Sequence, residues 1–72
     1  MRIPSKAEIE YLKKTYPSGT KVMLDNMDDI QAPPTGTVGE VTAIDSIGQI
    51  HVKWTTGSSL ALIPGVDSFH KI

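Results

Sequence analysis

The chain begins with a short segment whose apolar residues follow the period of a helix. Three of them recur at spacings of three and four and share one helical face: Ile9, Leu12 and Tyr16. Ser5 and Glu8 have the spacing of a capping box, and Pro17 follows the apolar stripe. The pattern predicts a helix over residues 5–16. A helix this short is marginal alone, so we expect its apolar face to pack on its own domain or on a second copy.

The rest of the chain is typical of short β-strands. Five segments of alternating or β-branched character are separated by turn-forming residues: 20–25, 37–45, 49–55, 58–63 and 68–72. The clearest strand is 49–55, because Ile50, Val52 and Trp54 face one way and polar side chains face the other. Trp54 is therefore predicted to anchor the core, with a stacking surface at the rim as the alternative.

Simple alternation fails in one predicted strand, 37–45. It does not place Val38 and Val41 on the same face, although both are apolar. A bulge or sharp bend near Gly39 would turn both side chains inward, and small barrels curve by such bends. We therefore predict such a bulge or bend near Gly39.

The order of these elements predicts a mainly β fold. A helix, a strand, a long loop over residues 26–36 and four further short strands match a small SH3-like barrel of about five strands. Closure of such a barrel would hide the strand edges. We expect residues 1–72 to form a single domain, with a helical arm over 5–16 and the barrel over 20–72.

Composition and charge exclude some classes of function. The 72 residues include no Cys, so the chain has neither a disulfide nor a zinc–thiolate site. Residues 1–21 carry a net charge of +3 and the remainder −4, which makes the barrel a poor partner for phosphate backbones. The charged start and the lack of a long apolar stretch favour a cytoplasmic protein without a signal peptide or a membrane span.

The chain shows no pattern of residues typical of a catalytic or metal site. Its two histidines, His51 and His70, lie on separate predicted strands, without the spacing of metal ligands. No phosphate-binding glycine loop, nucleophile motif or paired carboxylate motif is present. We expect no enzymatic activity, no metal and no cofactor.

Two surfaces are candidates for binding. The first is the long loop, where apolar and acidic side chains occur together without periodicity: Met27, Asp28, Asp29, Ile30 and Gln31. Long loops in small domains are often functional, and exposed apolar residues there favour contact with a partner. The alternative is the basic helical arm, represented by Lys6, Tyr11, Lys13 and Lys14. That arm is where a phosphate-bearing ligand would bind.

Three stretches of the chain resemble a family of small domains of unknown function from bacteria, their phages and mobile elements: 16–22, 27–39 and 50–60. The proline–glycine loop followed by Val-Lys-Trp-x-x-Gly carries most of this resemblance. Thr55-Thr56-Gly57 departs from the Asp-Asn-Gly turn common in that pattern, which makes the turn after Trp54 less ideal. The resemblance implies a phage or mobile-element setting and no specific activity.

These observations favour a non-catalytic binding module that acts by protein–protein contact. In a phage setting such a module could inhibit a host factor, including a defence protein, and a homo-oligomer is compatible with its size. The alternative is an oligomeric binder that sequesters a small nucleotide signal between subunits. Nucleic-acid binding is third, because five of the seven basic residues lie in residues 1–21 and the remainder of the chain has a net negative charge.

Overall fold

A computed structural model describes residues 3–72 and contains one helix and four strands. The elements, in chain order, are α1 (Lys6–Thr15), β1 (Lys21–Asn26), β2 (Val38–Ile44), β3 (Ile50–Trp54) and β4 (Ser68–Lys71). The mainly β prediction and the N-terminal helix are confirmed.

Helix α1 begins with the predicted capping box. The Glu8 backbone N–H donates to Ser5 Oγ at 3.2 Å, and the Ser5 backbone N–H donates to Glu8 Oε1 at 3.2 Å. Leu12 and Tyr16 pack against the core, and the Tyr16 ring lies 5.4 Å from the Phe69 ring on β4. The apolar face of α1 therefore packs on its own domain.

The four strands form one antiparallel sheet in the order β3-β2-β1-β4. Alternation along β1 and β3 turns one set of side chains inward, as predicted. Seven apolar residues are buried and form one cluster: Val22, Leu24, Val41, Ile50, Val52, Trp54 and Leu62. Trp54 is 2% exposed, which confirms it as a core residue, and its indole Nε1 donates to the Leu60 carbonyl at 2.9 Å.

The bulge predicted near Gly39 lies farther along β2. Gly39 is paired regularly with Trp54, and the register of β2 against β3 shifts between Val41 and Ala43. Gly39 and Val41 both face inward, whereas Val38 is only half-buried. A Cβ at Gly39 would overlap Val52 Cγ1 and lie 2.7 Å from Trp54 Cε3. Glycine is therefore needed there because the Val52 and Trp54 side chains occupy the space of a side chain.

The predicted strand over residues 58–63 is also wrong. Leu62 forms an isolated bridge to Ile50, and the Ser58 carbonyl accepts from the Trp54 N–H at 3.1 Å. Between these two contacts the backbone groups of Leu60 bond to side chains: its carbonyl accepts from the Trp54 indole, and its N–H donates to Ser58 Oγ at 3.3 Å. The described residues therefore contain four strands instead of five, and their sheet is not closed.

Candidate binding site

A cleft of about 610 Å³ lies between the first half of α1 and two turns. One turn, 45–49, joins β2 to β3, and the other, 63–67, precedes β4. The lining is mostly apolar and comes from all three segments: Pro4, Glu8, Tyr11, Leu12, Ile47, Gly48, Gln49, Ile63, Pro64 and Val66. Clefts of roughly 300–1,000 Å³ are typical of binding sites. We call this feature the cleft.

The cleft gathers exposed apolar side chains from distant parts of the sequence. Tyr11 is 66% exposed, Ile47 41% and Val66 71%. Single exposed apolar residues are common on protein surfaces, whereas several that line one concave surface are typical of an interaction site. The concentration of these three residues in one place is what identifies the cleft as a candidate site.

The turn 45–49 is held by the carboxylate of Asp45. Its Oδ1 accepts from the backbone N–H groups of Ile47 and Gln49, at 3.1 and 2.9 Å. Its Oδ2 lies 2.8 Å from His51 Nε2 on β3. Partial burial opposes ionisation of Asp45, but the hydrogen bonds from His51, Gln49 and Ile47 outweigh it and lower the pKa of this carboxyl.

The turn 63–67 is held by Asp67 in a similar way. Asp67 Oδ2 accepts from the Ile63 N–H at 2.8 Å. The N–H groups of Val66 and Asp67 in turn donate to the Ile63 carbonyl, at 3.0 and 2.9 Å. These bonds fix the segment that carries Ile63, Pro64 and Val66 into the cleft.

Helix α1 meets the turn 45–49 at Gly48. This glycine is buried and has a φ of +82°, a conformation that side chains disfavour. A Cβ there would lie 2.8 Å from Pro4 Cγ and 3.6 Å from Ile9 Cδ1. Gly48 thus lets the start of the helix lie against the turn 45–49, and it lines the cleft.

The sequence matches the family described as Domain of unknown function (DUF4314) over residues 5–72. The chain belongs to this family. The matched region includes the helix, all four strands and both turns of the cleft. No curated protein and no solved structure matches the chain significantly. Because the family description assigns no activity, the function of this DUF4314 domain has to be argued from its site.

The five residues predicted as a binding loop lie in the connection between β1 and β2, and none of them lines the cleft. Asp28, Asp29 and Gln31 are exposed, and Ile30 is fully exposed. Asp29 Oδ1 accepts from the Gln31 N–H at 2.8 Å, which forms a local turn. Met27 instead packs partly against the core. We call residues 28–31 the acidic loop; its role in binding stays a prediction.

The residues of the basic arm of this DUF4314 domain have different surroundings. Lys13 lines a shallow groove with Tyr16 and Ile44. Tyr11 is exposed and lines the cleft. Lys6 and Lys14 are exposed. Binding of a phosphate-bearing ligand by this arm stays a prediction.

Sequence reasoning missed the cleft, because its walls come from three segments that are distant in sequence. The available signal was local: Ile47 and Val66 are apolar residues inside turns, each next to a glycine. Turn positions are usually polar, so large apolar side chains there indicate that the turn packs against something or presents a contact surface.

The two histidines bind separate carboxylates. His51 pairs with Asp45, and His70 Nδ1 lies 3.0 Å from both carboxylate oxygens of Asp25. Within residues 3–72, no group of three or more His, Cys, Asp or Glu side chains has the geometry to hold a metal ion. In the same part of the chain, no helix has the length and apolar character needed to cross a membrane.

Proposed function

We propose that this domain is a non-catalytic protein-binding module and that the cleft receives an apolar segment of a partner protein. One observation carries the proposal: the exposed side chains of Tyr11, Ile47 and Val66 line the same concave surface. Burial of these side chains by a partner would supply the main driving force, at about 25 cal/mol per Å² of apolar surface removed from water.

The lining favours an apolar protein segment over a nucleotide. A phosphate needs Lys, Arg or converging backbone N–H groups. None of the residues that line the cleft, within the described range 3–72, is basic, and Glu8 is acidic. The N–H groups of Ile47, Gln49 and Ile63 donate to the carboxylates of Asp45 and Asp67. The nucleotide alternative therefore lacks the groups that it would require at this site.

The proposal includes an SH3-like topology. If the Leu62 segment is counted beside β3, the order becomes 62-β3-β2-β1-β4, which is the strand order of such a barrel. The bulge in β2 supplies the curvature that a barrel needs. Three further parts of the proposal rest on the sequence alone. They are a phage or mobile-element setting, a host protein as the partner and a cytoplasmic location.

Selection of peptides from a random library displayed on yeast tests the proposed function. The full chain serves as bait, and we expect the selected peptides to be rich in large apolar residues. Backbone amide chemical shifts measured with the best peptide should change at Ile47, Gln49 and Val66. Shift changes confined to any other surface, or the absence of specific peptides, would contradict the proposal.

Two matched variants locate the contact. Val66→Asp and Ile30→Asp each place a carboxylate at an exposed apolar position, the first in the cleft and the second in the acidic loop. Val66→Asp should weaken peptide binding by about tenfold or more, equivalent to about 1.4 kcal/mol, and Ile30→Asp should leave it unchanged. The reverse result would assign binding to the acidic loop. Sedimentation of the free protein identifies the case in which the bound segment is a second copy.

A further inference from the structure

Both turns that form walls of the cleft are held by an aspartate whose carboxylate accepts backbone N–H groups. We infer that Asp45 and Asp67 are positioning residues, which fix the shape of the cleft before a partner arrives. The inference rests on the proposed function, since it names the residues that make the same site ready to bind.

Asp45 fixes its turn with both carboxylate oxygens. Oδ1 accepts from two N–H groups of the turn, at 3.1 and 2.9 Å, so it sets the path of the backbone at Ile47 and Gln49. Oδ2 is held from the opposite side by His51 Nε2 at 2.8 Å. Because His51 lies on β3, it ties the orientation of the carboxylate to the sheet. His51 therefore acts on the cleft through Asp45.

Asp67 fixes the second turn through one residue. Its Oδ2 accepts from the Ile63 N–H, while the Ile63 carbonyl accepts from the N–H groups of Val66 and Asp67. Both polar backbone groups of Ile63 are thereby bonded within the turn. Val66 is 71% exposed, so packing restrains it little and these hydrogen bonds fix the backbone from which its side chain projects.

A turn that is already fixed strengthens binding, because the protein loses less conformational entropy when the partner docks. If a turn without its aspartate adopts the binding shape about one-tenth of the time, the apparent Kd rises about tenfold. Asp45 restrains two N–H groups and Asp67 one. The loss of Asp45 should therefore have the larger effect.

The test measures the Kd of the best selected peptide for Asp45→Ala, Asp45→Asn, Asp67→Ala and Asp67→Asn. We expect an increase of about tenfold for Asp45→Ala and about threefold for Asp67→Ala. Asparagine keeps an acceptor oxygen, so the two Asn variants should stay within about twofold of wild type. Asp28→Ala is the control for charge, because Asp28 is an exposed carboxylate outside the cleft. Kd is measured well below the Tm of each variant.

Amide hydrogen exchange supplies a readout that does not depend on binding. Gly48 N–H donates to the Asp45 carbonyl and Val66 N–H to the Ile63 carbonyl, so neither loses its own acceptor in the Ala variants. Faster exchange at Gly48 in Asp45→Ala, and at Val66 in Asp67→Ala, would show that the whole turn loosens. The Asn variants should exchange like wild type.

The outcomes separate this inference from the proposed function. If a peptide binds the wild-type cleft and its Kd is unchanged in both Ala variants, the positioning role is wrong and the proposed function stands. If no peptide binds the cleft, the proposed function is wrong. The amide exchange rates of Gly48 and Val66 then test whether Asp45 and Asp67 fix the turns. Rates that are unchanged in Asp45→Ala and Asp67→Ala would overturn the inference.

Discussion

The cleft and the acidic loop both expose large apolar side chains, but they are built differently. The acidic loop belongs to the connection between β1 and β2, and none of its residues lines the cleft. In the cleft, several apolar residues converge, and the turns that carry them are held by carboxylates and by contact with α1. In the acidic loop, one isoleucine stands between exposed polar residues on a turn that is held only locally.

This difference shows that exposed apolar area alone does not define a binding site. Ile30 is more exposed than Tyr11, Ile47 or Val66 of the cleft. A partner that binds Ile30 would bury only one apolar side chain, and it would also have to order the turn that carries this residue, which costs conformational entropy. The cleft offers several side chains whose backbone is already ordered. Binding to such a surface loses less conformational entropy, and this is why we place the contact there.

The largest expected effect on stability comes from Trp54, a residue of β3 whose side chain is buried in the core. Trp54→Ala should lower the free energy of unfolding by about 3–5 kcal/mol, since it removes a large buried aromatic side chain. That is a large share of the stability of a small domain, so Trp54→Phe serves as the milder variant. The phenylalanine keeps a ring but loses the bond to the Leu60 carbonyl. Urea unfolding measures both, and unchanged stability in both would contradict a core role.

A smaller loss of stability is expected from Gly48→Ala, which should disturb the cleft but not the acidic loop. Gly48→Ala introduces strain at a φ of +82° and a Cβ only 2.8 Å from Pro4 Cγ. Gly57→Ala is the matched control, because its φ is +92° and no atom lies within 4 Å of the added Cβ. Strain alone costs about 1–3 kcal/mol, and the clash at Gly48 should add at least about 1 kcal/mol. Equal loss of stability in the two variants would mean that the helix does not depend on this contact.

The sequence predicted the elements of the fold better than their assembly. The capping box and the alternation around Val52 depend only on residues that are close in sequence. The structure confirms both. The strand over 58–63 was wrong because the Trp54 indole bonds the Leu60 carbonyl, a contact that local propensity does not show. The bulge was misplaced because the space at Gly39 is filled from the neighbouring strand.

The candidate site could be predicted only in part. The sequence identified Tyr11 as a candidate binding residue, but as part of the basic arm, whereas the structure places it in the lining of the cleft. Ile47 and Val66 belong to turns with no periodicity, so nothing in the linear pattern connects them to the helix. Their proximity depends on how the 45–49 and 63–67 turns lie against α1, which is a property of the tertiary structure.

The pH dependence of stability should reveal the carboxylate that holds the first cleft turn. The folded-state pKa of Asp45 is lowered, so its contribution is fully present above its unfolded value of about 3.8 and is lost as the pH falls through the folded value. The stability difference between wild type and Asp45→Asn should therefore be largest above about pH 5 and shrink below about pH 4. His51→Asn should keep part of this dependence, since the two backbone N–H groups remain on Oδ1. A difference that is constant from about pH 2 to pH 6 would contradict this role.

The smallest expected effect comes from the acidic loop. Replacing Asp28, Asp29 and Gln31 together by Ala should change stability by less than about 0.5 kcal/mol per residue, because all three are exposed. Asp29 should account for most of the loss, since its carboxylate holds the Gln31 N–H. Thermal unfolding and titration of the selected peptide measure the two properties separately. We expect unchanged peptide affinity, because none of the three residues lines the cleft. A folded triple variant that no longer binds the peptide would reverse the comparison and assign the contact to the loop.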